Sequence, residues 1–135
     1  MTFVVVGKRY NTRFYPTSTD VTADDRVSAT NENVKPGLVV DQVITHPYSM
    51  DFYLQSHEPI HGTGRSAHYF VLQNKMALNA DQLQSITHTF CYAYARVSRG
   101  VFYFAPAYYA DRLYDRGRAY LRHYFIGVHR MEPRP

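Results

Sequence analysis

His68-Tyr-Phe-Val-Leu-Gln73, followed by Asn79-Ala-Asp-Gln-Leu-Gln-Ser-Ile-Thr-His-Thr-Phe90, is where the chain changes from strand to helix. The first stretch is short, β-branched and aromatic, the composition of a strand. In the second, Asn79 stands three residues ahead of Gln82 as in a capping box, and Leu83, Ile86, Phe90, Tyr94 and Val97 recur at helical spacing before Gly100. The cap matters because the first N–H groups of a helix have no partner within it. Toward the N-terminus, Thr2-Phe-Val-Val-Val6, Leu38 to Thr45 and Asp51 to His57 share the strand composition, with breaks at His46-Pro47 and Pro59 to Gly64. The run from Thr2 to Val6 is continuously apolar and fits a buried strand. Pro16 to Gly37, rich in Thr, Ser, Asp and Asn, reads as a solvated loop. Toward the C-terminus, Pro106 suits a first helical position, and Tyr109, Leu113, Tyr120 and Tyr124 repeat on one side of a second helix up to Phe125, weakened at Gly117. Strands followed by two helices predict an α/β or α+β layer arrangement, taken as α/β with a mixed sheet and the two C-terminal helices packed on it.

At 135 residues with 45% hydrophobic side chains, the chain can build one modest core and not two domains. A strand that begins at the second residue reads as a chain boundary inside a domain. The only cysteine, Cys91, excludes an intrachain disulfide, and the sequence carries neither a signal-type apolar run nor a stretch of the roughly 20 apolar residues a spanning helix needs, so a cytoplasmic setting without a membrane partner is expected. The net charge of +4 is unevenly spread. Lys8, Arg9 and Arg13 crowd the start, the middle is acidic, and eight Arg against Asp111, Asp115 and Glu132 crowd residues 91–135. Arginine grips phosphate bidentately and stacks on bases, so the pattern favours a polyanionic partner over a merely solvated basic surface.

Several motifs compete to carry chemistry. His57-Glu58-Pro59-Ile60-His61 matches the zinc-protease spacing H-E-x-x-H, which needs both imidazoles on one helical face. Pro59 and the following Gly62 and Gly64 break such a helix, so a loop with two ordinary histidines is the better reading. Gly62-Thr-Gly-Arg-Ser66 suits an anion, because glycines let backbone N–H groups approach it and Arg65 can pair with it. Cys91 falls in the apolar helix pattern, as a buried thiol rather than a nucleophile. In the last helix Asp111, Asp115, Arg118 and Arg122 share one face, either a solvated salt-bridged face or one that binds phosphate and metal.

Five blocks, in order, carry a family resemblance: Val6-Gly-Lys-Arg-Tyr-Asn-Thr-Arg-Phe14, Val40-Asp-Gln-Val-Ile-Thr-His-Pro47, Asp51-Phe-Tyr-Leu-Gln-Ser-His57, Gly62-Thr-Gly-Arg-Ser66 and Ala105-Pro-Ala-Tyr-Tyr-Ala110. Together they resemble the C-terminal part of eukaryotic, fungal-like Argonaute Piwi domains over residues 1–125, leaving 126–135 as an atypical tail. The resemblance implies a partial RNase H-like fold and guide small-RNA binding in RNA silencing, with target RNA and the remaining Piwi and MID segments of a parent protein as partners. Position by position it implies RNA contacts at Lys8, Arg9, Arg13, His57, Arg65, Arg96, Tyr108 and Arg116. Phe102 departs from the small polar residue of several relatives. Asp111 matches the last of four metal-binding positions of slicing members, so it implies a catalytic metal ligand only in a longer parent. The other two Asp and the Glu belong to preceding segments, and Asp41 and Asp51 are not their equivalents. Mg2+ is thus expected in a complete parent and no activity in this stretch alone. The alternatives are the C-terminal part of a metal-dependent slicer endoribonuclease and a small noncatalytic basic RNA-binding protein.

Overall fold

The computed structural model describes residues 1–8, 10–17, 33–60 and 62–129. They form β1 (Thr2–Gly7), β2 (Leu38–Val40), β3 (Asp51–Gln55), β4 (Ala67–Asn74), α1 (Ala80–Cys91) and α2 (Ala105–His129). The chain divides into two compact units, Met1–Ala105 and Pro106–Pro135.

In the first unit the strands run in the order β1-β4-β3-β2, and all three pairings are antiparallel. The expected mixed sheet is therefore met, among the described residues, only in its antiparallel part. Among the described residues no helix separates successive strands, and it is such crossovers that make parallel neighbours. β3 and β4 occupy the centre, and every residue of β3 is buried. β1 is an edge strand, not the buried one its apolar run predicts. With β4 as its only neighbour among the described residues it alternates, leaving Phe3 and Val5 exposed.

Alternation along β3 and β4 divides the core into two faces. On one, the register partners Phe52 and Tyr69 stack with centroids 5.1 Å apart, alongside the buried Leu54 and Ala67. The Tyr69 hydroxyl reaches Cys91 Sγ at 3.9 Å and accepts the Phe104 N–H at 3.2 Å, so α1 and the segment before α2 close this face. On the other face Tyr53 and His68, also register partners, stack at 4.0 Å, and Tyr10 sets its edge against both. Here Asp51 is buried, with one carboxylate oxygen 2.7 Å from His68 Nε2 and the other accepting the His46 N–H at 2.9 Å. Asp51 is thus committed inside the sheet.

Local rules account for the element ends. Asn79 and Gln82 form the reciprocal capping box, each side chain accepting from the other's backbone N–H at 2.7 and 3.1 Å. The buried face of α1 is Leu83, Thr87 and Cys91, whereas Ile86 and Phe90 of the apolar pattern are exposed. Thr87 can sit inside because its hydroxyl donates to the Leu83 carbonyl at 2.7 Å. The helix stops at Cys91, short of Val97, and the following residues turn with Tyr94 buried. β2 ends at Val40 instead of Thr45, as the chain turns through a Val43 at φ 70°. α2 runs past Phe125 to His129, since Gly117 weakens the helix without carrying the chain-ring clash of a proline. The proposed boundary at 125/126 accordingly falls within a helix.

Candidate nucleic-acid interface

A cleft of about 610 Å³ opens in the first unit where three segments meet: the exit of β1 at Lys8, the loop between β3 and β4, and the turn after α1. The β3–β4 loop is built around Gln55, whose buried amide donates to the His57 carbonyl at 2.9 Å and accepts from the Ser66 hydroxyl at 3.0 Å. A Cβ on Gly64 would lie 2.4 Å from that amide nitrogen, which is why the loop needs glycine there. Across the cleft, the buried Ser56 hydroxyl donates to the carbonyls of Val101 and Phe102 at 2.5 and 3.1 Å. Tyr92 donates to the Ser56 carbonyl at 3.2 Å, and Gly100 passes so close to that carbonyl that a Cβ would meet it at 2.8 Å.

Among the described residues the cleft is lined by three cations, Lys8, Arg65 and Arg99, against one carboxylate, Glu58. Lys8 extends over the Tyr103 ring with Nζ 5.4 Å from its centroid, a cation–π contact. His57 sets its ring edge-on to Phe102 at 5.6 Å, and burial pushes its imidazole pKa down, which favours the neutral ring. Three exposed cations beside a half-buried aromatic pair can hold a phosphate chain by charge and its sugars or bases by contact.

Of the positions singled out in the sequence, the structure brings Lys8, His57 and Arg65 to one cleft although they lie up to 57 residues apart. Arg9 lies outside the described residues, as does His61 of the H-E-x-x-H match. Residues 57–60 of that match are not helical, so they do not present a zinc face. Arg13 is half-buried, and its Nη1 has no hydrogen-bond partner among the described residues. Arg96 is exposed in the turn after α1, where Arg99 lines the cleft instead. The Gly64 N–H donates to Asn33 at 2.7 Å, so it is not offered to an anion as the glycine pattern suggested. Cys91 is fully buried, and burial raises its thiol pKa, as expected of an unreactive cysteine.

In the second unit Tyr108 and Asp111 are half-buried on the first turns of α2. Arg116 is exposed, its guanidinium 5.9 Å from the centroid of the Tyr120 ring one turn on. Among the described residues no group of three or more His, Cys, Asp or Glu could hold a metal ion. Nor is any described helix long and apolar enough to cross a membrane. Sequence reasoning missed Arg99, Ser56 and Asn33. Gly100, which has no room for a side chain, is the only local mark that the turn carrying Arg99 is fixed.

The Piwi domain family model matches residues 1–122. Rice "Protein argonaute 14" is 47% identical over 120 residues, covering 89% of this chain and 11% of that protein. Arabidopsis thaliana "Protein argonaute 5" is 44% identical over 121 residues, covering 90% and 12%. Among solved structures, the C-terminal lobe of a budding yeast Argonaute superposes with a TM-score of 0.78 at 32% identity, over 97% of this chain and 26% of that one. Kluyveromyces polysporus Argonaute with a guide RNA gives 0.72 at 37% identity, over 83% and 13%. The chain therefore spans about a ninth of the length of these plant relatives. With nine-tenths of its residues inside the family match and a fold shared with Argonaute lobes of RNase H-like architecture, this chain belongs to the Piwi domain family of Argonaute proteins.

Proposed function

We propose that the chain binds the sugar-phosphate backbone of a small guide RNA as part of a Piwi domain in RNA silencing, with the cleft of Lys8, His57, Arg65 and Arg99 as a principal contact. The observation that carries this reading is the convergence of three cations from three separate segments on one cleft, each segment fixed from beneath by buried Gln55 or Ser56 or by Tyr103. The similarity to an Argonaute solved with a guide RNA supports it. Arg9, Arg13, Arg96, Tyr108 and Arg116 are proposed as further contacts on the strength of the family pattern. The remaining Piwi and MID segments, and target RNA, are proposed partners of the complete parent, with the cytoplasm as its setting.

Asp111 is proposed as a metal ligand only within such a parent. Mg2+ requires near-octahedral oxygen coordination, and two-metal phosphoryl chemistry uses several carboxylates. Among the described residues no group of three or more His, Cys, Asp or Glu gathers around Asp111, so this stretch does not by itself fit that ion.

The test is a titration of the chain with single-stranded RNA at increasing salt. The affinity is expected to fall log-linearly, with a slope of about -2 or steeper from about 0.7 per phosphate and at least three contacts, and with little dependence on base sequence. A salt-independent affinity, or strong base preference, contradicts the backbone reading.

A further inference from the structure

We infer that Asn33 is a positioning residue for RNA binding: its side-chain amide latches the Gly62–Gly64 turn and so holds Arg65 at the cleft. The inference rests on the reading of the cleft as the RNA contact. Asn33 comes from the segment before β2, 29 and 31 residues away from the groups it bonds. Its Nδ2 donates to the Gly62 carbonyl at 2.9 Å, and its Oδ1 accepts the Gly64 N–H at 2.7 Å. Both ends of one planar amide are used, on both sides of Thr63, so the turn is clamped in the plane of that amide.

The turn needs such a clamp. Gly62 sits at φ 69°, in the left-handed region, with no described atom within 4 Å of where its Cβ would be. Glycine also loses more conformational freedom on ordering than any other residue. On the far side of the turn the restraint is tight, with Gly64 against the Gln55 amide and Ser66 bonded to its oxygen. Arg65 lies between these two, exposed and with a long, rotamer-rich side chain. Fixing the backbone on its N-terminal side lowers the entropy that must be lost when a phosphate is gripped, which raises affinity without adding a contact.

The experiment is a double-mutant cycle on the full 135-residue chain, with Asn33→Ala, Arg65→Ala and the pair, read by titration with a single-stranded oligoribonucleotide at several salt concentrations. Asn33→Ala is expected to weaken binding about three- to tenfold and to make the salt slope shallower by up to about 0.7, the share of one phosphate contact on a single strand. In the Arg65→Ala background the same substitution is expected to change affinity by less than about twofold, because coupled residues are non-additive. Gly64 amide hydrogen exchange, measured without RNA, should accelerate in Asn33→Ala and stay slow in Arg65→Ala. An equal loss in both backgrounds would mean that Asn33 acts through general destabilisation and would overturn the inference, as would an unchanged Gly64 amide. If the parent chain itself shows no salt-dependent RNA affinity, the reading of the cleft fails, whereas accelerated exchange at Gly64 in Asn33→Ala would still report the latch.

Discussion

The strands β3 and β4 and the helix α2 are built from similarly aromatic sequence, yet they bury it very differently. Phe52, Leu54 and Tyr69 are at most 1% exposed, while Leu113, Tyr114 and Tyr120 on α2 are 71, 68 and 67% exposed. In the first region each aromatic has a cross-strand partner, and polar groups such as Asp51, Gln55 and Ser56 are buried with their hydrogen bonds met. The helix, by contrast, presents its apolar and cationic residues on its surface. The comparison teaches that the cleft is underlain by buried, hydrogen-bonded side chains of the first unit, whereas Tyr108, Asp111 and Arg116 sit on a helix whose Leu113, Tyr114 and Tyr120 are exposed.

Substitutions in the two regions should break this symmetry of composition most strongly. Phe52→Ala, which removes a ring stacked in a full core, is expected to cost about 3–5 kcal/mol, and Leu113→Ala on α2 about 0.5 kcal/mol or less. Urea midpoints measured on both variants check this, and equal shifts would mean that α2 is as well packed as the sheet. A smaller effect is expected at Gly64→Ala, where the new methyl must displace a buried amide held at both ends, at about 1–3 kcal/mol. The same melting series reads it, and a neutral result would show Gln55 free to move.

Charge changes sharpen the comparison further. Glu58→Gln removes the one carboxylate lining the cleft and is expected to tighten RNA binding about threefold, the size of a surface charge interaction, whereas Asp115→Asn on α2 should matter less. Fluorescence anisotropy at fixed salt distinguishes the two. The smallest effect concerns His57. Burial lowers its folded-state pKa, so the unfolded chain takes up a proton first as pH falls below about 6.5, and the stability contributed by the neutral ring is lost progressively below that value. The wild-type midpoint should therefore fall more steeply from pH 6.5 to 5 than that of His57→Gln, and parallel curves would show the ring to be solvated.

What the sequence made legible follows the range of the interactions involved. The capping box of Asn79 and Gln82 and the start of β3 depend on neighbours within a few residues and stand where the pattern put them, and β4 begins one residue earlier than expected, at Ala67. Lys8 was marked by the charge pattern and Arg65 by the glycine motif, His57 as an RNA contact only by family resemblance, and nothing local says that the three share a cleft. The helix face was misjudged because hydrophobicity favours Ile86 and Phe90, while burial chose Thr87 and Cys91, whose polar atoms bond back to the helix carbonyls. Asn33 was hidden for a related reason: it falls at the end of a stretch that reads as solvated loop, and its partners lie about 30 residues on. Arg99 carries no pattern in an Arg-rich third of the chain.

The account stands or falls on whether the cleft is the RNA contact. The most direct measurement compares the salt dependence of single-stranded RNA binding for the parent chain, for the triple variant Lys8→Ala, Arg65→Ala, Arg99→Ala, and for Arg116→Ala on α2. Losing three phosphate contacts should make the slope of log K against log salt shallower by about 2, and losing Arg116 by about 0.7 or less. A triple variant that kept the parental slope, with Arg116→Ala the more damaging change, would place the RNA on the helix and contradict the cleft.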